Sequence, residues 1–267
     1  MKWLLGIVIL ATVCGGVVLY AGLYDVSATN QHLGPTYWLL DTGMRRSVKR
    51  RTAGLAVPDL TDQQKLERGR VLYRSHCVSC HGAPGVAPEP HALGMTPTPA
   101  ALVHTARAWS PAEIFLVVKE GIKMTGMPAW KYRMSDDDIW AVVAFLPEMA
   151  RLTPRQYAAL RTGPLTAAIE TPAGAPDAAR GKRAIYQYAC VTCHAIPDIV
   201  GPNAPVGPPL AGIGARSMIA GVLPNSPENL ARWIRSPQEV APLTAMPTLG
   251  VTQRDARDIA AYLATLR

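Results

Sequence analysis

The chain has 267 residues, with 27 Lys/Arg against 19 Asp/Glu and only two Phe, a length that suits two domains of about 100 residues plus extra segments. The net charge of +8 is uneven: six basic residues against two acids in residues 1–56, eleven against ten in 57–160, ten against seven in 161–267. A basic surface speaks of partners and not of fold. The basic stretch at 45–51 is short and no recognition module surrounds it, which excludes nucleic acid as the expected partner. An acidic protein or an anionic lipid surface fits better.

Residues 3–24 carry no charge, between Lys2 and Asp25. As a helix this run spans about 33 Å, enough for the hydrocarbon core of a bilayer, and Trp3, Tyr20 and Tyr24 lie near its ends, where aromatic belts form. The rival reading is a cleaved signal peptide cut after Val26-Ser27-Ala28, but the apolar run exceeds the usual h-region of about 7–15 residues. We therefore expect a retained anchor over 1–24. Cys14 reads as a plain membrane-buried thiol, since Val13 before it is branched. Lys2 favours a cytoplasmic N-terminus. Arg45, Arg46, Lys49, Arg50 and Arg51 argue the other way, at the limit of the positive-inside rule's reach. In the connector, 25–57, Tyr37, Leu40, Met44 and Val48 recur at helical spacing. This short helix is either a solvated connector or a docking helix at the membrane surface or against an integral partner.

A first domain is expected over 58–151. Thr61 or Asp62 caps a helix running towards Cys77, and a Pro/Gly-rich loop fills 82–99. Ser110-Pro111-Ala112-Glu113 opens a helix to about Glu120. Ser135, with Asp138 three residues on, caps a last helix that Pro147 should stop. A Pro/Ala-rich linker follows over 152–179, with a short helix near 154–161. A second domain over 180–267 repeats the plan: a leading helix over 181–189, a Pro/Gly loop over 195–214, a helix opened by Ser226-Pro227, and a last helix capped by Thr252. Tyr186 precedes Cys190 by four residues, as Tyr73 precedes Cys77. The order and spacing of elements mark an internal duplication.

Cys77-Val78-Ser79-Cys80-His81 and Cys190-Val191-Thr192-Cys193-His194 both follow the pattern of c-type haem attachment. Two thiols can form thioether bonds to the haem vinyl groups, and the adjacent histidine can reach the iron as proximal ligand. A pair of zinc or redox CxxC sites would leave His81 and His194 unexplained. The sixth ligand decides function, because a haem with only its histidine is open to substrates. Met127 lies 46 residues after His81 and Met246 lies 52 after His194. Both precede Pro, and both come just before a last helix. A thioether on iron stabilises the reduced state, which suits a carrier. Met124 and Met95 are rivals to Met127 in the first domain, and ordinary core packing is the commoner role for Met. The matched Met-Pro favours Met127. His32, His76, His91 and His104 read as solvated or locally bonded, Trp130 and Trp140 as pocket packing, and Asp136-Asp137-Asp138 as acids favoured by the helix dipole.

On these motifs, residues 58–267 resemble a membrane-anchored dihaem cytochrome c with two class I cytochrome c domains. The resemblance implies an all-α fold: one N-terminal transmembrane helix followed by two class I cytochrome c domains holding two covalently bound haem c. Gly207-Pro208-Pro209-Leu210 resembles the family's Gly-Pro-x-Leu stretch, in which the proline carbonyl accepts a hydrogen bond from the proximal histidine. Pro208 would then orient His194, and Pro97 or Pro99 would do so for His81. The implied site is Cys77, Cys80, Cys190, Cys193 and Pro208 around the haems, with His81, Met127, His194 and Met246 on iron. The family attaches haem on the periplasmic side, so the resemblance implies a single pass through the bacterial inner membrane with periplasmic haem domains. The implied activity is one-electron transfer between redox proteins, without a small-molecule substrate: to a haem-copper terminal oxidase, or as subunit of a membrane-bound dehydrogenase. A dihaem peroxidase needs one open haem, and two Met-Pro loops argue against it.

Overall fold

The computed structural model describes residues 2–160, 174–201 and 206–267. Part of the expected linker, 161–173, and part of the expected loop over 195–214 lie outside the described residues. Helix α1 (Lys2–Tyr20) is 19 residues long. It is the one helix, among the described residues, long and apolar enough to cross a membrane. It stops before the uncharged run does, because Gly22 at φ 66 closes it. Gly22 N–H donates to the Leu19 carbonyl at 3.2 Å and Leu23 N–H to the Val18 carbonyl at 3.0 Å, a Schellman ending that glycine permits at no steric cost.

Helix α2 (Gly34–Thr52) starts with Pro at its first turn and buries Val48 and Thr52. The expected stripe is only half covered: Met44 is half-buried, whereas Tyr37 and Leu40 stay exposed at 56% and 51%. The C-terminal half packs on α6 (Pro111–Glu120) of the first domain, and the Arg45 guanidinium lies 5.2 Å over the Trp109 ring. This half of α2 is part of the globular unit and not a free connector.

In the first domain α3 (Gln63–His76) crosses α7 (Asp136–Met149). The crossing is close because Gly69 faces the Ala141 carbonyl, and a Cβ there would overlap its oxygen. Arg68 Nε donates to Asp138 Oδ1 at 2.8 Å and pins the same two helices. The core gathers Tyr73, Ile139, Leu146 and Met149, all with no measurable exposure, and Phe115 stacks on Trp140 at 4.1 Å. Asp62 and Ser135 cap α3 and α7, and Ser110 and Glu113 form a full capping box on α6. Pro147 does not stop α7. The helix runs on to Met149, fully buried, and Ala150 N–H still reaches the Leu146 carbonyl at 3.0 Å; burial of Met149 outweighs the one backbone bond that proline removes. Helices α4 (Val78–His81) and α8 (Pro154–Ala159) are short, and α5 (Leu102–Ala108) lacks any strong start signal.

The second domain repeats the crossing with α9 (Ala178–Gln187) against α12 (Gln253–Leu263), joined by α10 (Pro227–Arg235) and α11 (Pro237–Val240). Gly181 abuts the Asp258 carbonyl as Gly69 abuts that of Ala141. Arg180 grips Asp258 with two bonds, at 2.7 and 2.9 Å. Matching the two Arg-Gly pairs puts Ile185, 1% exposed, in the place of Tyr73; Tyr186 is 46% exposed. The tyrosine match expected from spacing to the cysteines is therefore off by one. The extra residue is taken up at Ala189, in the left-handed region at φ 55. A two-stranded hairpin, β1 (Met218–Ile219) and β2 (Leu223–Pro224), occurs in the second domain.

Candidate functional site

Each candidate histidine is oriented by a backbone carbonyl. His81 Nδ1 lies 2.8 Å from the Ala100 carbonyl oxygen and His194 Nδ1 lies 2.8 Å from that of Pro208. A carbonyl can only accept, so Nδ1 carries the proton in both rings and Nε2 presents its lone pair. This is the tautomer a metal-binding imidazole needs, and the carbonyl fixes the ring while raising its basicity. Pro97 and Pro99 do not take this role for His81; Ala100, one residue past Pro99, does. The His81 imidazole is held below its ordinary pKa by burial, with the Ala100 bond opposing, so the ring stays neutral and able to ligate. Behind His194 sits Gly207, where a Cβ would overlap the imidazole. The chain makes room there for a ring in one fixed place.

The four motif cysteines are free and half-buried. Burial, with the neighbouring Cys80 adding, pushes the Cys77 thiol up to about 12, and burial pushes Cys190 up to about 11. Redox CxxC pairs work the other way, with a depressed thiol pKa. Among the described residues no three His, Cys, Asp or Glu side chains gather as metal ligands, so the zinc alternative lacks a ligand set. A pair of half-buried thiols beside a carbonyl-oriented imidazole fits a covalently held haem. A cavity of about 260 Å³ lies against His194, lined by Val191, Ile196, Pro197 and Ile199 among others.

The two methionines sit in matched loops. Met127 N–H donates to Thr125 Oγ1 at 3.0 Å, and Met246 N–H donates to Thr244 Oγ1 at 3.2 Å. Both loops read Thr-x-Met-Pro, a signal present in the sequence that draws the threonines into the site. Met127 packs against the same apolar cluster as Cys77, Val78 and Trp130. Met124 is 87% exposed at φ 60, which points it away from any pocket. Met95 Sδ lies 2.9 Å from where a Cβ of Gly126 would stand, so Met95 packs on the same loop. Met246 is half-buried but outside the apolar cluster that holds Cys190. His91 Nε2 lies 3.7 Å from Cys80 Sγ, and the His76 ring tilts against Trp130 at 5.4 Å.

Residues 64–146 match the family model described as cytochrome c oxidase, cbb3-type, subunit III, and residues 178–267 match the family described as cytochrome c. Both globular units are thus cytochrome c domains, the class of small helical protein that carries haem c and transfers electrons. The chain as a whole is an apolar N-terminal helix followed by a domain of the cbb3 subunit III type and a general cytochrome c domain. It is 34% identical over 89 residues to cytochrome c oxidase subunit 2 of Alkalihalophilus pseudofirmus, covering 33% of this chain and 25% of that protein. The subunit 2 of a Bacillus species is 35% identical over 96 residues, 34% of this chain and 27% of that one. Quinohemoprotein alcohol dehydrogenase of Comamonas testosteroni is 29% identical over 133 residues, 48% of this chain and 18% of the enzyme. The chain therefore spans about a quarter or less of the length of these relatives.

Proposed function

We propose that this chain is a membrane-anchored dihaem cytochrome that passes single electrons to a haem-copper terminal oxidase, as a bound subunit or a dedicated donor. The observation that carries the reading is a duplicated pairing: a histidine with Nδ1 bonded to a carbonyl, and a Met-Pro loop braced by a threonine. Cys77 and Cys80 would hold one haem and Cys190 and Cys193 the other by thioether bonds, with His81 and Met127 as iron ligands for the first and His194 and Met246 for the second. A haem held this way supplies a one-electron Fe(III)/Fe(II) couple. Ala100 and Pro208 fix the imidazoles, and the thioether sulfurs favour the reduced iron. A histidine and a methionine committed to each iron would leave a substrate no coordination position. Helix α1 is a retained anchor in the bacterial inner membrane, with both haem domains on the periplasmic side. The oxidase partner is supported by the two subunit 2 relatives and the cbb3-type match, and the net charge of +8 suits an acidic docking face. A second reading, the cytochrome subunit of a membrane-bound dehydrogenase, is favoured by the match to the quinohemoprotein enzyme, which covers almost half of this chain.

The test is purification of the full chain in detergent from its native membrane. It is expected to carry two haems per chain that acid-acetone does not extract, to show low-spin spectra unchanged by carbon monoxide, and to bring oxidase subunits with it. A single haem, extractable haem, or carbon monoxide binding by the wild type overturns the carrier reading. Co-purification with a quinoprotein dehydrogenase instead selects the second one.

A further inference from the structure

The two haem units meet where the loop following Met127 reaches the residues that precede Cys190. We propose that Tyr188 and Arg133 are positioning residues that latch these two haem sites together, so that electrons pass between them within one chain. This rests on the dihaem reading above.

The latch is built from short pieces of backbone. After Met127 the chain makes a single 3-10 turn at Trp130–Tyr132. The Tyr132 carbonyl oxygen lies 3.0 Å from the Tyr188 hydroxyl, the donor, and the Tyr132 side chain packs against the apolar core of the second domain. Next along, the Arg133 guanidinium donates to the Gln187 carbonyl at 3.0 Å and lies 5.5 Å over the Tyr188 ring. Tyr188 is 4% exposed, and its hydroxyl is also 2.7 Å from Asp255 Oδ2 at the start of α12. Its single proton is shared between Tyr132 and Asp255. Burial and the Asp255 carboxylate both push the phenol pKa up, so it remains a donor throughout the physiological range.

The position of this seam is what makes it more than packing. Tyr132 is five residues from Met127, and Tyr188 is two residues from Cys190. The contact thus joins the methionine side of the first site to the attachment side of the second, through two hydrogen bonds. The second methionine loop is placed differently: Pro247, Thr248 and Leu249 after Met246 are exposed, as is Leu243 before it. The segment after the first methionine loop is docked on the other domain, and the residues after the second are open to solvent.

The experiment uses the full chain in detergent micelles. One haem is reduced by a flash with a one-electron photoreductant, and the concentration-independent phase of equilibration between the haems is followed. Tyr188→Phe combined with Arg133→Gln should slow that phase several-fold, while haem count, methionine-ligated spectra and resistance to carbon monoxide stay at wild-type values. Arg133→Gln alone, at an exposed position, should slow it less, and Arg133→Lys, which keeps a cationic donor, should restore part of the rate. An unchanged rate in the double variant overturns the proposal. A slowed rate accompanied by carbon monoxide binding at the first haem also overturns it, because the residues would then be holding the Met127 loop and not linking two sites. A wild type with two haems but no concentration-independent phase defeats the latch and leaves the dihaem reading standing; a wild type without two haems defeats that reading itself.

Discussion

In the first domain the leading helix runs without a break into the haem motif: α3 ends at His76, and Cys77 N–H bonds back to the Tyr73 carbonyl at 2.9 Å. In the second, α9 ends at Gln187, and Ala189 in a left-handed conformation turns the chain into Cys190. The cores differ as well. The first packs stacked aromatics and Met149, whereas the second is mainly Ile, Ala and Leu. What both keep is the glycine crossing, the Arg–Asp pair across it, and the carbonyl behind the histidine. The difference teaches which parts are interchangeable: core side chains and the path into the motif can vary, but the contacts that set the two long helices and the imidazole recur.

Valine at either crossing glycine is the strongest way to break the likeness. Gly69→Val and Gly181→Val each drive a side chain into a facing carbonyl, at a cost of about 3 kcal/mol or more, the upper end of overpacking. Each should remove stable haem incorporation from its own domain only; loss of both haems from either variant, counted as haem per chain, would show that the domains do not fold separately.

The methionine loops come next. Met127→Ala should leave one haem normal, open the other to carbon monoxide and lower its potential, and Met246→Ala should do the same for the second haem. Met124→Ala should do neither. Carbon monoxide difference spectra and a redox titration decide it; a response to Met124→Ala would show that the ligand is Met124 and not Met127.

The ion pairs sharpen the comparison by a smaller step. Asp258 is 1% exposed and holds Arg180 in two bonds and the Asp177 N–H in a third, at 2.7 Å. Asp258→Ala leaves Arg180 only Asp177 and the Ala175 carbonyl and frees the buried end of the Asp177 N–H bond before α9, a loss of about 3 kcal/mol. Asp138→Ala should cost about 2 kcal/mol, because among the described residues Asp138 makes no such additional bond to the start of its partner helix. Denaturant unfolding of each variant measures both, and a larger loss for Asp138 would contradict the assignment.

The smallest effect has opposite signs in the two domains. Ala189→Gly removes a Cβ from a left-handed residue and should stabilise the second domain by up to about 1 kcal/mol. His76→Gly, at the end of continuous helix, should destabilise the first by about 1 kcal/mol. Thermal melts that move in the same direction for both would show that the two paths into the motif are alike after all.

Much of the candidate site was legible because the proposed attachment and ligation need particular residue types at short spacing. Cys77, Cys80 and His81, and their second copies, stand out for that reason, and so do the Ser110, Ser135, Ser226 and Thr252 helix starts. Other features were less legible because their partners are remote in sequence. The carbonyl serving His81 is Ala100, and no local rule distinguishes it from those of Pro97 and Pro99. The docking of α2 on α6 depends on where Val48 and Thr52 find apolar neighbours. The match of Tyr186 to Tyr73 failed because spacing from the cysteines cannot reveal a left-handed residue between helix and motif.

By itself, the sequence determined that the chain has an apolar segment long enough to span a bilayer, two cytochrome c domains in tandem, and in each a Cys-x-x-Cys-His followed by a Met-Pro loop. These are properties of neighbouring residues and of composition, fixed before any folding. Only the tertiary structure decided which imidazole nitrogen is free, which glycines the helices cross over, that Met124 points outwards, and that Tyr132 and Arg133 of one domain meet Tyr188 and Gln187 of the other. Those depend on contacts between segments tens of residues apart, where burial and hydrogen-bond geometry select one arrangement among many that the local sequence allows.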